Sequence, residues 1–466
     1  MQRPNIIFII MDAVRARNLS CYGYSKPTSP NIDELAKQGI LFENAFSCTS
    51  ATDPSLTTIF SGKYPISHGI INHGERVATN EIREFESTGT MLLPEILKSK
   101  NYRTIAVDWL GRWHKRGYDY YSGAEQKKVG RYKRYILHLL QRIGKSVHLG
   151  KLQCFYYRED AKKVTKKAIH LTTKQKNKPF FLFIHYWDAH TPYNPPEEYY
   201  QKFLSKSSSS VKVEEILNNI YNPEWKEYIK CCIGKAKTAD EIISKYDGAI
   251  AYIDHEIGKL VKTLDEKGLL DQTLLVITSD HGESLTEHGI YFAHHGLYDV
   301  NIHVPLIIKY PDVLPTGKRI KALVQHIDIL PTILDIIGIN SPRDIDGKSL
   351  IPLIFDKVND LHSAILLEEA YTQRKRAIRT NSYKYIYALS EKEAICRHCG
   401  RMHGSLEELY DLNEDPDENI NIADQKLTIK KELKKWLLKW TKKLKYKKKI
   451  TVLQRKIKIA KSKLLY

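Results

Sequence analysis

The strongest constraint on the fold is a set of short runs that are apolar at consecutive positions rather than at alternate ones. Residues 6–10, 104–107, 180–185, 274–278 and 305–308 are such runs. A strand with water on one side alternates apolar and polar side chains. A run without alternation needs cover on both faces, as in a parallel sheet sandwiched between helices. The segments between supply helices: within residues 238–262, Ile242, Ile243, Ile250, Ile253, Ile257 and Leu260 recur at roughly helical spacing. The expected fold class is therefore α/β, a large domain with a mostly parallel central sheet and helices on both faces, which 466 residues can readily build. Past residue 345 the pattern changes to short strands at 364–367, 377–379 and 383–387, which predicts a small C-terminal antiparallel-sheet subdomain. The predicted division is 1–345 for the main domain, with a basic insertion at about 121–180, then 346–425 for the subdomain and 426–466 for a tail. The serine run at 207–210 reads as a loop tip.

The formal net charge of +19 is unevenly placed. Residues 426–466 hold 17 Lys/Arg and one acid, and residues 121–180 hold 16 and three acids, so the rest of the chain is net acidic. An acidic body with two basic blocks suits attraction to anionic lipid or glycan, and no nucleic-acid-binding motif accompanies it, so nucleic acid is not an expected partner. In the tail, Ile429, Leu433, Trp436, Leu437, Trp440 and Leu444 fall on one helical face amid lysines. Such a basic amphipathic helix either lies as a peripheral contact on an anionic membrane or docks its apolar face on the protein body. The apolar stretch at residues 5–11 is too short to span a membrane and no small-residue cleavage site follows it, so no signal peptide is expected. Seven cysteines, an odd number that includes the adjacent Cys231 and Cys232, do not form a secreted disulfide framework, and the expected location is cytoplasmic. Cys396 and Cys399, followed by His403, have knuckle spacing and supply half of a zinc ligand set, or else a reduced hairpin.

In an α/β fold, functional side chains gather where strands end, because the loops at the carboxyl edge share one crevice. Asp12 directly follows the first apolar run, and Ser279-Asp280-His281-Gly282-Glu283 directly follows the run ending at 278. Either carboxylate alone reads equally well as a helix cap. Together, an Asp and an Asp-His pair from two strand ends can converge on one divalent cation.

Seven blocks, PNIIFIIMDAVRARNLSCYGY, TSPNIDELAKQGILFENAF, FSGKYPISHG, FFLFIHYWDAHTPY, TSDHGESLTEHG, NIHVPLIIKYP and ELYDLNEDPDENIN, follow one another along most of residues 4–424. In content and order they resemble the sulfatases of the alkaline phosphatase superfamily, and the resemblance implies an alkaline-phosphatase-like domain. In that family the nucleophile is a formylglycine made from the first residue of Cys-x-Pro-Ser-Arg, ten residues before a Thr-Gly step. Counting back from Gly62 reaches Thr52-Asp53-Pro54-Ser55-Leu56, which keeps the Pro and Ser but has Thr for the nucleophile and Leu for the Arg. Thr cannot become formylglycine. Cys48, the nearby alternative, lacks the Pro, the Arg and the spacing, so the resemblance implies an unmodified Thr52 acting on the metal.

The implied metal set is Asp12, Thr52, Asp280 and His281. With Ala13 where the family has a second Asp, and His281 where it has Asn or Gln, one divalent ion is expected, with zinc or manganese favoured over calcium or magnesium. His190 and His295 are implied as catalytic, with His294 competing for the place of His295. Arg112, His114 and His294 are implied substrate contacts, and His185 and Asp188 lie farther from the metal. The expected activity is a metal-dependent sulfatase-family hydrolase that cleaves a sulfate or phosphate ester, glycan- or lipid-linked, through a covalent Thr52 intermediate. Two alternatives remain: a phosphoryl or phosphoethanolamine-type transferase acting on an anionic glycan or lipid, and a non-catalytic binder of the same ligands that keeps the fold.

Overall fold

The computed structural model describes residues 3–122, 159–173, 178–204 and 210–463. Most of the basic block at 121–180 and residues 207–209 of the serine run lie outside them. Eight strands form the main sheet: β1 (Asn5–Met11), β2 (Ile40–Phe46), β3 (Arg103–Val107), β4 (Tyr120–Ser122), β5 (Phe180–Tyr186), β6 (Thr273–Thr278), β7 (Leu306–Lys309) and β8 (Lys318–Gln325). Their order is β4-β3-β5-β1-β6-β7-β2-β8. All neighbours are parallel except β7, which runs antiparallel to both β6 and β2. The 305–308 run thus sits in the sheet with its direction reversed, which periodicity alone cannot reveal.

The central strands are buried on both faces. Ile7, Ile9 and Met11 of β1 pack with Leu182, Ile184, Leu275 and Ile277 into one core layer. Ile6, Phe8 and Ile10 pack with Phe181, Phe183, Leu274 and Val276 into the opposite one. The first layer is covered by a long helix, Ala239–Glu266, whose entry is capped by the Thr238 hydroxyl accepting from the Glu241 backbone N–H. Helix Ala161–Thr172 covers the same layer with Ala161, Val164 and Ala168, so this part of the basic block belongs to the core scaffold rather than to an insertion.

A second sheet, ordered β12-β11-β10-β9, is antiparallel throughout: β9 (Ile365–Glu369), β10 (Lys375–Arg379), β11 (Tyr383–Ala388) and β12 (Glu407–Asp411). One face, with Ile365, Leu367, Ala377, Ile386 and Tyr410, packs on Phe46, Ile302 and Leu323 of the main domain. The other face, with Leu366, Ile378, Tyr385 and Leu409, would meet water if nothing lay over it.

The tail covers that face. Leu427–Lys463 is one helix, and Leu433, Leu437 and Leu444 are buried in the cluster formed with the second sheet face, Tyr64 and Ile327, with Ile429 and Trp440 packed beside them. Of the two readings of this helix, docking on the body is the one seen for its apolar stripe. Among the predicted stripe residues Trp436 is exposed. No helix among the described residues is long and apolar enough to cross a membrane.

Leu437 is 1% exposed. Its replacement by Ala leaves a cavity between helix and sheet and should cost about 2–5 kcal/mol. Chemical denaturation should show a lowered midpoint for Leu437→Ala, and truncation before Leu427 should lower the melting temperature more.

Candidate active site and metal centre

Register sets the site. Ile10 of β1 pairs with Thr278 of β6 on one side and with His185 of β5 on the other. Asp12 and Asp280 each lie two residues beyond that paired level, so both carboxylates and the His185 imidazole leave the same edge side by side. Their ligand atoms lie within 4.8 Å of one another, and all three residues are buried.

The turn after β1 is tight. Ala13 takes a positive φ of 61°, a conformation uncommon for a residue with a Cβ, and its N–H donates to Asp280 Oδ1 at 3.2 Å. The His281 N–H donates to the same oxygen at 2.9 Å. Asp280 Oδ2 has no hydrogen-bond partner among the described residues, and neither has His185 Nε2. Two buried polar atoms beside the Asp12 carboxylate fit a divalent cation.

The imidazoles are pre-set as ligands. His185 Nδ1 lies 2.9 Å from Asp108 Oδ1, which places its hydrogen there and leaves Nε2 as the lone-pair atom, 3.7 Å from Asp12 Oδ2. Burial would raise the Asp108 carboxyl, but hydrogen bonds from His185 and Tyr121 outweigh it and hold the group below its usual range. His281 Nδ1 donates to the Gly282 carbonyl at 2.9 Å, so Nε2 faces Asp280 Oδ2 at 3.3 Å and Asp12 Oδ1 at 3.7 Å. Burial lowers His281 to about 3, which keeps the ring neutral. A side chain at Gly282 would not fit: a Cβ there would lie 2.2 Å from the Val300 carbonyl oxygen.

Thr52 is the first residue of helix Thr52–Ser61, which ends at Gly62 with φ +65°. Ser55 one turn later donates to the Asp280 carbonyl at 2.6 Å and pins the helix to the loop after β6. This puts Thr52 Oγ1 3.3 Å from His281 Nε2, fully buried and at a helix N-terminus that favours anions. Asp12, Thr52, Asp280 and His281 are thus brought together, and His185 joins them as a nearer neighbour than its sequence position suggested. Cys48 lies elsewhere, buried with Tyr64, Ile327 and Ala364.

Arg112 and His114 reach the site through Asp53. His114 Nε2 is 3.0 Å from Asp53 Oδ1, while Arg112, His73 and the Gly74 N–H all meet Oδ2, the last at 2.7 Å. Burial would raise the Asp53 carboxyl, but His73 and His114 outweigh it and hold it well below the usual range. The sequence gives no local signal for Asp53, because its partners come from positions 73, 112 and 114.

The histidine pair separates into two roles. His294 stacks on His281 with ring centres 4.2 Å apart, and its Nδ1 donates to the Ser50 carbonyl. His295, also buried, turns away from the cluster instead, its Nε2 3.3 Å from His398 Nδ1. Of the two competing histidines, His294 is the one against the cluster. His190, half-buried, lies 5.4 Å from His294 and 6.5 Å from His281 between ring centres, with Nδ1 donating to the Thr191 carbonyl at 2.8 Å. Asp188 accepts the Ala161 N–H at 3.1 Å, at the start of helix Ala161–Thr172.

Comparison with known proteins identifies the family. The family model described as Sulfatase matches residues 4–339, and one described as N-sulphoglucosamine sulphohydrolase, C-terminal, matches residues 286–447. An N-acetylglucosamine-6-O-sulfatase of Bacteroides thetaiotaomicron is 25% identical, over 92% of this chain and 84% of its own length. A solved structure in complex with its substrate D-glucosamine-2-N,6-O-disulfate is 22% identical with a TM-score of 0.66, covering 95% of this chain and 98% of that one. A phosphonate monoester hydrolase from Silicibacter pomeroyi is 18% identical with a TM-score of 0.69, covering 95% and 96%. The chain belongs to the sulfatase family, a class of sulfuric ester hydrolases, built on the alkaline-phosphatase-like α/β fold.

Two outcomes are expected. Elemental analysis of the purified protein should find a divalent metal that Asp280→Asn and His185→Ala each reduce by about tenfold or more in affinity. The second concerns Arg15, which ties the two ligand loops together by donating to the Glu283 carbonyl at 3.3 Å and pairing with Glu287 at 2.6 Å. Burial raises the Glu287 carboxyl, but Arg15 outweighs it and lowers the group from 4.5 to about 2. A depressed folded-state pKa contributes stability above the unfolded value that disappears as pH falls from about 4.5 toward 2. Glu287→Gln should flatten that part of the stability-against-pH curve.

Proposed function

We propose that this chain hydrolyses a sulfate ester carried by a sugar, with Thr52 as an unmodified nucleophile. The observation that carries the reading is Thr52 Oγ1 at a buried helix N-terminus, 3.3 Å from His281 Nε2 and beside the Asp12, His185 and Asp280 cluster. Asp12, Asp280, His281 and His185 would hold one divalent cation. When bound, it would lower the pKa of the Thr52 hydroxyl and offset charge on the sulfuryl oxygens.

In the first step Thr52 Oγ1, its proton released to solvent, attacks sulfur, the bond from sulfur to the sugar oxygen breaks, and a protonated His190 gives its proton to the departing oxygen. In the second, water attacks the sulfur of the Thr52 sulfate ester, His190 takes the water's proton, and the bond from sulfur to Oγ1 breaks. Sulfate leaves, and the water's second proton passes through solvent to the Thr52 alkoxide and restores the hydroxyl. Arg112 and His114, anchored on Asp53 next to the nucleophile, line the anion's approach. A sugar substrate is supported by the N-acetylglucosamine-6-O-sulfatase relative and by the neighbour solved with a glucosamine disulfate. The position of Cys48, fully buried in an apolar cluster, supports Thr52 over a formylglycine at that cysteine.

Thr52→Ala should retain the fold, read by circular dichroism and melting temperature, and lose about 10³-fold or more in kcat. His190→Ala should lose about 10²–10⁴-fold. Parallel assays on aryl sulfate, sulfated glucosamine, phosphate monoester and phosphodiester should give the highest kcat/KM on a sulfate ester. A higher value on a phosphoester, or near wild-type turnover by Thr52→Ala, would overturn the reading, as would a formylglycine found at Cys48 by peptide mass spectrometry.

A further inference from the structure

The reaction makes no use of a compact cluster at the rim of the site. Residues 395–402 form a short hairpin closed by a bridge between Ile395 and Met402, with the Cys396 N–H donating to the Arg401 carbonyl at 2.7 Å. Inside it the Gly400 N–H donates to the Cys396 carbonyl at 2.9 Å, and Gly400 holds φ +78°, a conformation natural to glycine. A Cys-x-x-Cys-Gly turn of this form directs both sulfurs to one side. His403 returns to that side, with Nε2 2.9 Å from Cys399 Sγ. The two sulfurs and the imidazole nitrogen lie within 4.8 Å of one another, and all three residues are buried.

Three features make this a ligand set rather than a hydrogen-bonded thiol pair. His403 Nδ1 lies 3.3 Å from the His288 carbonyl oxygen, which places its hydrogen there and leaves the Nε2 lone pair toward the sulfurs. Two thiolates and one neutral imidazole around a dication sum to zero charge. The surroundings already balance their own charges, since Lys375 Nζ meets Glu408 at 2.7 Å and the His403 carbonyl at 2.5 Å. In a tetrahedral site with bonds of about 2.0–2.3 Å, ligand atoms stand roughly 3.3–3.8 Å apart, a spacing within reach of this cluster.

We propose that Cys396, Cys399 and His403 bind one zinc ion, separate from the metal of the reaction centre, that clamps the 395–403 hairpin against the rim. Soft thiolates with an imidazole select zinc over the hard cations suited to carboxylates. Binding releases the two thiol protons, and a solvent molecule takes the fourth position, since among the described residues no further side chain joins the cluster. The clamp has a target. His398, between the two cysteines, stacks on Trp225 at 4.2 Å and meets His295 Nε2 at 3.3 Å, next to the His294 that lies on His281. Zinc thus fixes the wall behind His295.

The test uses the full chain. X-ray absorption at the zinc edge of the zinc-loaded protein should show sulfur in the first shell. Replacing zinc by cobalt(II) should give a thiolate-to-cobalt charge-transfer band in the near ultraviolet, which the carboxylate and imidazole donors of the reaction centre cannot produce. The Cys396→Ser/Cys399→Ser double variant should lose the band and one equivalent of zinc, and His403→Cys, which keeps three ligands, should strengthen it by about half. No sulfur in the zinc shell of the wild-type protein, a Cys396–Cys399 disulfide in freshly purified enzyme, or an undiminished band in the double variant would overturn the proposal. The wild-type spectrum decides the matter even where a cysteine variant fails to fold.

Discussion

Everything at the reaction centre depends on the parallel register of β5, β1 and β6. Because His185, Ile10 and Thr278 stand at one level across three adjacent strands, Asp12 and Asp280 emerge together and an imidazole meets them from the other side. Parallel strands are what make this work: they point all three chain exits toward one edge, whereas antiparallel neighbours would send alternate exits to opposite edges. The cost falls on the turn residues. Ala13 accepts a left-handed backbone and Gly282 must lack a side chain, and in return Asp280 Oδ1 takes two N–H donors while Oδ2 stays toward the cluster.

The outer layers hold this arrangement still. Asp108 orients His185, the Gly282 carbonyl orients His281, Ser55 ties the Thr52 helix to the Asp280 carbonyl, and Asp53 gathers Arg112, His114 and His73 beside the nucleophile. Asp53 is fully buried and would be costly in isolation, yet two imidazoles, a guanidinium and a backbone N–H surround it. Apart from the Gly282 carbonyl, these contacts join segments far apart in sequence.

What the sequence reveals follows the same division. Asp12 and the Asp280-His281 pair are legible because each directly follows a strand whose apolar run is unmistakable. The fold class is legible for the same reason. β2 and β8 are harder to read: Ile40–Phe46 carries Glu43 and Asn44, and Lys318–Gln325 opens with charged residues, because both lie toward the sheet edge where only part of each strand is buried. The reversal of β7 leaves no mark on periodicity. His294 and His295 are adjacent, so only the packing of one ring on His281 distinguishes them. Asp53 is invisible until residues 73, 112 and 114 are folded against it.

The tail shows how a strong sequence signal can be answered within the molecule. A basic amphipathic helix needs an apolar surface and acidic groups, and an external membrane is one source of both. The body supplies both itself. The second face of the small sheet receives Leu433, Leu437 and Leu444, while Lys434 meets Glu407, Lys447 meets Asp346 at 2.7 Å and Lys448 meets Glu84 at 2.6 Å. Ion pairs at least partly open to solvent contribute little each, about 1 kcal/mol, so the leucines hold the helix down and the lysines set where along the sheet it rests. The excess of tail lysines over these acidic partners leaves much of the positive charge facing solvent. Part of it faces a cleft of about 650 Å³ between the helix and β9–β10, where Lys445, Lys449 and Lys456 stand on one wall. An unbalanced basic helix fastened by its apolar side keeps that charge fixed in direction, so the asymmetry between acidic body and basic tail survives folding as a field on one side of the protein.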